Sequence, residues 1–356
     1  MTIPLPRTTP EALTDLRLRL QRRRPVPRVS PTDRFGVDPA SLDAVLDYWA
    51  DSFDWEAQEE RIHAYPWRRS ATPTPVNAIV QAADADSPVV LFLHGWPDSV
   101  LRFERILPEL SGITAVVPAL PGFPFAATQD GLSAVDIAEA VHAAMIDFGF
   151  HRFVVSAGDV GCDVAEALAA AHPDAVSSLH LTDVSQYHFL VDLPDDLDAE
   201  ERAYVERGRL WQAAEGGYMH EQSTRPDTAS VGLGDSPAGL AAWIGEKLDR
   251  WTDQSSGPAF SMDERLTWLS AYWFSGTIGT SFAPYALSSP KDWPRITAPT
   301  VFTVFPGDLV NAPRRFAERF FSVVSWREFS HGGHFAAWEQ PDDYLWGVRE
   351  AVRICD

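Results

Sequence analysis

Residues 152–163 read Arg-Phe-Val-Val-Ser-Ala-Gly-Asp-Val-Gly-Cys-Asp. An apolar run enters a turn at Ala157, and an alanine-rich stretch follows Gly161. Small residues on both sides of Asp159 permit a sharp turn from a strand into a helix. The pattern therefore predicts a strand, a tight turn and a helix, with the Asp159 side chain presented at the turn as a nucleophile.

The carboxylate of Asp159 narrows the chemistry that this turn can perform. A carboxylate that attacks a saturated carbon forms an alkyl ester, which a later step hydrolyses. Epoxides and alkyl halides offer such carbons. A serine nucleophile would have indicated acyl transfer instead.

Predicted strands and helices alternate on both sides of this turn. The strands are expected at 89–94, 113–118, 153–156, 179–182, 300–305 and 323–329, and the helices at 132–148, 160–171 and 342–352. Such alternation favours a mostly parallel sheet with helices on both faces. Together with the turn at Asp159, it predicts an α/β-hydrolase fold.

Two segments depart from the alternation. Residues 1–75 are predicted to wrap over the core, with helices at 10–24 and 39–60 and a hairpin strand at 61–67 that pairs with 76–82. Between 186 and 290, helical segments at 199–214, 238–251 and 262–275 follow one another without strands, which predicts a helical cap inserted after a central strand. The predicted division is a wrapping segment (1–75), a first core part (76–185), the cap (186–290) and a second core part (291–356).

Composition limits the partners of this chain of 356 residues. Its formal net charge of −21 argues against nucleic acid and anionic membrane surfaces, which attract basic proteins. No apolar run approaches the roughly 18 residues that a membrane-spanning helix needs. The two cysteines, Cys162 and Cys355, argue against a disulfide framework. We therefore expect a cytoplasmic protein with no membrane or nucleic-acid partner.

A turn after the strand at 89–94 is the first further candidate site. It reads His94-Gly95-Trp96-Pro97 and can direct the backbone N–H of Trp96 toward the substrate, beside the N–H of Val160. Two such donors would form an oxyanion hole. We interpret His94 itself as a turn residue that is hydrogen-bonded to the backbone, not as a catalytic group.

Two later strand ends supply a candidate base and acid. His334 lies on the glycine-rich loop 330–335 and can activate a water; His331 competes for this role, but the two glycines before His334 favour the latter. Asp308 follows a Pro-Gly pair at a strand end and can orient the histidine, with Asp183 as the alternative acid. The chain order is then nucleophile, acid, histidine, as this fold requires.

These motifs resemble those of the microsomal-type epoxide hydrolase family over nearly the whole chain. The resemblance is carried by residues 48–67, 94–97, 120–123, 158–159, 305–308 and 333–337 and by two cap motifs, 217–228 and 272–278. In that family two cap tyrosines donate hydrogen bonds to the epoxide oxygen, and the matching positions are Tyr218 and Tyr285. The chemistry agrees, because an alkoxide is a poor leaving group and a phenol can protonate it.

The resemblance implies an enzyme that needs no cofactor or metal, takes a small-molecule epoxide and water, and releases a vicinal diol. Members commonly have a glycine at the position of Ala157 and a tryptophan at that of Val160, and relatives often have a glutamate at that of Asp308. A wider or differently shaped pocket is the expected consequence of Val160.

Two other functions stay open on the sequence alone. A haloalkane dehalogenase uses the same aspartyl ester, but the tryptophan that holds the halide beside the nucleophile is replaced here by Val160. A catalytically silent binding protein of the same fold is the other alternative. The oligomeric state is also open, with a homodimer as one alternative.

Overall fold

The computed structural model describes residues 3–191 and 193–355. These residues form a sheet of eight strands: β1 (Trp67–Arg69), β2 (Asn77–Gln81), β3 (Val89–Leu93), β4 (Thr114–Pro118), β5 (Phe153–Ala157), β6 (Val176–Leu181), β7 (Ile296–Val304) and β8 (Phe321–Glu328). Their order is β1-β2-β4-β3-β5-β6-β7-β8. The β1–β2 and β2–β4 pairs are antiparallel and the others parallel. The predicted mostly parallel sheet is confirmed.

The helices before the cap are α1 (Pro10–Gln21), α2 (Pro39–Asp51), α3 (Trp55–His63), α4 (Ala134–Asp147) and α5 (Val160–Ala171). Those between β6 and β7 are α6 (Tyr187–Leu190), α7 (Ala199–Glu215), α8 (Gly217–Thr224), α9 (Pro226–Asp235), α10 (Pro237–Arg250), α11 (Met262–Ser275) and α12 (Ala283–Ala286). The last three are α13 (Arg314–Phe320), α14 (Ala336–Glu339) and α15 (Pro341–Arg353). Helix α5 packs against β3, β5, β6 and β7, which fixes the turn at its N-terminus against the centre of the sheet.

The N-terminal segment corrects two predictions. The strand expected at 61–67 is wrong, because Arg61–His63 is the last turn of α3. Of the residues 61–67, only Trp67 belongs to a strand, β1. The single helix expected at 39–60 is broken, since Asp54 caps a new helix by accepting a hydrogen bond from the backbone N–H of Ala57. The hairpin itself is present, with Trp67 opposite Ile79.

The segment between β6 and β7 is helical throughout its described elements, as predicted for a cap. Helix α11 has the predicted bounds, whereas α8 and α9 were not predicted. The N-terminal segment holds this region: α2 packs against α10 and α11, and the Trp49 indole N–H donates to the Ser270 hydroxyl over 2.9 Å. The four domain boundaries themselves stay predictions. None of the described helices has the length and apolar character to span a bilayer.

Candidate active site

Asp159 occupies a strained turn between β5 and α5. Its φ of +57° lies in a region that residues other than glycine rarely adopt, and the surrounding packing holds it there. Two glycines are required by close approach. A Cβ on Gly95 would overlap the Asp159 carboxyl group, and one on Gly161 would overlap the Leu93 carbonyl. The predicted turn is therefore present, and it presents Asp159 where β3, β5 and α5 meet.

The two carboxylate oxygens of Asp159 face different partners. Oδ1 accepts a hydrogen bond from the backbone N–H of Trp96 at 2.7 Å. Oδ2 lies 3.3 Å from Nε2 of His334, without the alignment of a hydrogen bond. Val160 is the first residue of α5, so its N–H has no acceptor within the helix. One oxygen thus lies in the predicted oxyanion hole, while the other is directed toward the histidine.

His334 lies between two carboxylates. Its Nδ1 is 2.7 Å from Oδ1 of Asp308, opposite the contact with Asp159. Burial disfavours the imidazolium, but Asp308 and Asp159 outweigh it and raise the pKa of His334 to about 10. Burial alone would raise the pKa of the Asp308 carboxyl group. The imidazolium of His334 lowers it, and the net effect is a lowered pKa. In this arrangement both carboxylates favour a protonated histidine.

Cap and core hold the His334 loop together. The His334 N–H donates to the carbonyl of Trp251 at 2.8 Å, and the Gly332 N–H donates to Asp253 at 2.8 Å, both residues following α10. Glu339 accepts from the N–H groups of Gly333 and Phe335. The position of the imidazole therefore depends on the end of a cap helix as well as on the sheet.

Asp183 belongs to the site, although it does not contact the histidine as an acid partner. Its Oδ1 accepts a hydrogen bond from the Asp159 N–H at 2.9 Å and from the Cys162 thiol at 3.1 Å. Burial, with Asp308 and Asp159 nearby, raises the pKa of Asp183 to about 7. The structure therefore brings Asp308, not Asp183, to His334.

A cavity of about 340 Å³ opens over these groups. Asp159, Val160, Asp308, His334 and both tyrosines line it, so the residues singled out from the sequence, with Trp96 at the turn below, come together in one place. The tyrosine ring centroids are 6.2 Å apart. Burial raises the pKa of Tyr218 and of Tyr285 well above the usual value, so both phenols stay protonated at neutral pH.

Tyr218 is fixed by aromatic packing. Its ring stacks on Trp96, with centroids 5.3 Å apart and planes 7° apart, and meets Trp251 at 5.1 Å. Trp251 in turn contacts the His334 ring at 5.2 Å. Tyr285 meets the edge of Trp96 at 6.3 Å. The side chain of Trp96 therefore supports the tyrosines while its backbone faces Asp159.

The remaining candidates lie outside the cavity lining. His331 is 47% exposed and contacts Ser330 and Asp343. His94 is buried, and its Nε2 accepts a hydrogen bond from the N–H of Leu120 at 3.2 Å, which is the turn role expected for it. The thiol of Cys162 is buried, and burial raises its pKa well above the usual value.

Sequence reasoning missed a buried ion pair beneath the site. Asp98 accepts from the Gly95 N–H at 2.7 Å and pairs with Arg102, and Arg102 donates to the His334 carbonyl at 2.7 Å. This pair connects the turn that carries Trp96 to the loop that carries His334. A charged pair four residues apart, directly after the turn, was the available signal. Within the part of the chain that the structure describes, no group of three acidic, histidine or cysteine side chains could hold a metal ion.

Comparison with known proteins agrees with this architecture. The family described as "Epoxide hydrolase N terminus" matches residues 5–103, and the "alpha/beta hydrolase fold" family matches residues 88–341. A Stigmatella aurantiaca protein with a provisional epoxide hydrolase name is 34% identical over 364 residues, which cover 96% of this chain and 82% of that protein. The chain belongs to the epoxide hydrolase family.

Other relatives of this epoxide hydrolase family member include "Epoxide hydrolase 1" of Sus scrofa, 27% identical over 98% of this chain and 88% of that protein. The structure of Aspergillus niger epoxide hydrolase superposes with a TM-score of 0.89 at 27% identity and covers 100% of this chain and 97% of that one. The resemblance to the microsomal-type family and the α/β-hydrolase fold are thus confirmed. The protein is an enzyme of this family, which hydrolyses ether bonds.

Proposed function

We propose that this enzyme opens an epoxide to a vicinal diol through an ester on Asp159. The observation that carries the proposal is the position of His334, between Asp159 and Asp308, in a cavity that Tyr218 and Tyr285 also line. An aspartate nucleophile, a base and two phenols are the groups that attack on an epoxide carbon and subsequent ester hydrolysis require.

In the first step Oδ2 of Asp159 attacks an epoxide carbon. We assign Oδ2 because Oδ1 already accepts the Trp96 N–H, whereas Oδ2 lies 3.3 Å from Nε2 of His334. The epoxide carbon–oxygen bond breaks as the new ester bond forms. Tyr218 and Tyr285 donate hydrogen bonds to the departing oxygen, and one phenol proton completes the alcohol.

Formation of the ester changes the role of His334. Asp159 loses its negative charge, so one of the two carboxylates that raise the pKa of His334 no longer acts on it. The imidazolium can then release its proton to solvent and accept one from a water. Asp308 keeps the ring oriented and stabilises the imidazolium that forms again.

The second step is attack of that water on the carbonyl carbon of the ester. Negative charge develops on Oδ1, which accepts the N–H of Trp96, and the N–H of Val160, which has no acceptor within α5, is the second donor. The two donors stabilise the tetrahedral intermediate. Its collapse releases the diol and restores the carboxylate.

The test is a single turnover with excess enzyme in oxygen-18 water. The mechanism requires one labelled oxygen in Asp159 of the wild-type enzyme and no adduct in Asp159→Asn, both read by mass spectrometry of the peptide that contains residue 159. Absence of label in the wild type would exclude the covalent route. Halide release from simple haloalkanes, measured alongside, should be negligible; substantial turnover would favour the dehalogenase alternative, and no adduct with any epoxide would favour a silent binding protein.

A further inference from the structure

Lys247 lies against the ring of Tyr218, one of the two phenols proposed as proton donors. We propose that Lys247 is a positioning residue for ring opening, whose ammonium group stabilises the negative charge that develops on Tyr218 as this phenol gives its proton to the epoxide oxygen. The inference rests on the proposed function. It adds a residue that does not line the cavity and that acts through Tyr218.

The placement of Lys247 is unusual for a lysine. Its Nζ lies 4.9 Å from the ring centroid of Tyr218 and 5.7 Å from that of Trp251. The side chain is only 6% exposed, whereas lysines ordinarily extend the ammonium into water. Its carboxylate partner is Glu246, at 2.7 Å. Besides this ion pair, the ammonium therefore lies against two aromatic rings, one of them that of Tyr218.

The surroundings of Tyr218 create the need for a cation. Burial and the carboxylates of Asp159 and Asp308 raise its pKa, and a hydrogen bond with the Tyr285 hydroxyl acts in the opposite direction. The imidazolium of His334 is already held by both carboxylates. A phenol in this position would be a weak acid, so a positive charge on another side of its ring favours proton transfer.

The physical basis is the interaction of a cation with an aromatic face. A cation within about 6 Å of a ring centroid is attracted by the negative face of the ring, most strongly where water is excluded. The attraction grows as the phenol loses its proton, because the phenolate charge spreads over the ring. An interaction that is stronger in the transition state than in the ground state increases the rate of that step.

Ring opening moves the proton of Tyr218 and the electron pairs of two bonds. The Tyr218 O–H bond breaks and its proton joins the epoxide oxygen, which takes the electron pair of the broken carbon–oxygen bond. Asp159 supplies the electron pair of the new ester bond. The phenolate is protonated again from solvent, which received one proton from the His334 imidazolium before the water attacked. The proton of the hydrolytic water restores that imidazolium.

The experiment compares the two chemical steps in three variants. Lys247→Met removes the charge and keeps an unbranched side chain that is one atom shorter, Lys247→Gln is a second neutral variant, and Lys247→Arg keeps the charge. Single turnovers with an aryl epoxide, quenched at intervals, give the rate of ester formation and the rate of ester loss from the mass of the intact protein. We expect ester formation to slow about tenfold in the neutral variants and ester loss to stay unchanged. Lys247→Arg should restore most of the rate.

A second measurement separates this role from a structural one. Replacement of Tyr218 by 3-fluorotyrosine makes the phenol more acidic, so it should restore ester formation in Lys247→Met. Equal slowing of both steps, no rescue by the acidic phenol, or wild-type rates in the neutral variants would overturn the inference while leaving the proposed function intact. If the wild type itself forms no ester, both are wrong.

Discussion

The backbone N–H of Asp159 donates a hydrogen bond to Oδ1 of Asp183 over 2.9 Å. This contact fixes the amide of a residue whose φ of +57° is strained, so Asp183 helps to hold the turn. It also places a third carboxyl group beside Asp159 and Asp308. Because burial and the two like charges oppose its ionisation, the pKa of Asp183 is raised to about 7.

Replacement of Asp183 by asparagine should therefore stabilise the protein at high pH. A carboxyl group whose pKa is higher in the folded chain favours folding while it is protonated. That contribution is complete below the unfolded pKa, near 4, and is lost as the pH rises through about 7. We expect the free energy of unfolding of Asp183→Asn, taken relative to the wild type, to be higher at pH 8 than at pH 5. The difference should be on the order of 1 kcal/mol and is measured by urea unfolding.

The control is Asp174→Asn, an exposed residue before β6. It removes one negative charge from a chain of net charge −21 without touching the site. Its free energy of unfolding should change by the same small amount at both pH values. A gain at pH 8 that Asp174→Asn reproduces would show that total charge, not the environment of Asp183, is responsible.

Asp308→Asn should block the second step more than the first. The variant removes the carboxylate that holds Nδ1 of His334 at 2.7 Å and that helps to raise the pKa of the ring. We expect turnover to fall by a factor on the order of 10² to 10⁴, as for other misoriented catalytic histidines. The ester on Asp159 should then accumulate, which the mass of the intact protein would reveal.

Asp308→Glu is the matched control because it keeps the charge. Its carboxylate can still accept a hydrogen bond from Nδ1 of His334, so this variant should retain much of the turnover. If Asp308→Asn turns over without accumulating an ester, the assignment of Asp308 as the orienting acid is wrong.

The two tyrosines should contribute to ring opening alone. Tyr218→Phe and Tyr285→Phe each remove one hydroxyl from the cavity and keep the ring packing on Trp96. We expect ester formation to slow roughly 10- to 100-fold in each variant and ester loss to stay unchanged, since a phenol donor acts on the departing oxygen only. Rapid-quench single turnovers measure both rates. Slower ester loss in either variant would contradict the assignment.

Much of this site could be predicted from the sequence because its residues lie at strand ends. In a parallel sheet these ends meet at one edge, so Asp159, Asp308 and His334 could be expected close together. The neighbours that tune them could not be predicted. Asp183 was named from the sequence only as the alternative acid. Its contact with the Asp159 N–H, and that of Lys247 with Tyr218, are recognisable only once the end of β6 and α10 are placed in space.

The strand prediction for residues 61–67 was wrong for a local reason. The residues at 61–67 alternate in a way that favours a strand, but the side chains of Trp55, Glu59 and Ile62 are buried on one face of α3. Helical spacing and the cap at Asp54 outweigh the strand pattern there. The two cap tyrosines, Tyr218 and Tyr285, were predicted from the family resemblance of the cap motifs, because periodicity and spacing alone give no reason to choose them.

The buried ion pair of Asp98 and Arg102 should contribute strongly to the free energy of unfolding. Arg102→Met leaves the buried Asp98 without its cation and breaks the hydrogen bond to the His334 carbonyl. Removal of one partner of a buried ion pair costs about 3–5 kcal/mol, which urea unfolding would measure. The double variant Asp98→Asn with Arg102→Met should recover part of that loss, because no buried charge remains unpaired. A loss below about 1 kcal/mol in Arg102→Met would show that the pair contributes little.

Val160 should set the size of the epoxide that the enzyme accepts. Its side chain lines the cavity of about 340 Å³ next to Asp159. Val160→Trp fills part of that space while leaving the backbone N–H in the oxyanion hole. We expect kcat/KM for a diaryl epoxide to fall at least about tenfold and that for a short alkyl epoxide to change less than about threefold, because one bulky group in a pocket is worth roughly 1–3 kcal/mol of discrimination. Val160→Leu, intermediate in size, should give an intermediate ratio. An equal fall for both substrates, with an unchanged melting temperature, would mean that Val160 affects the chemistry and not the volume of the pocket.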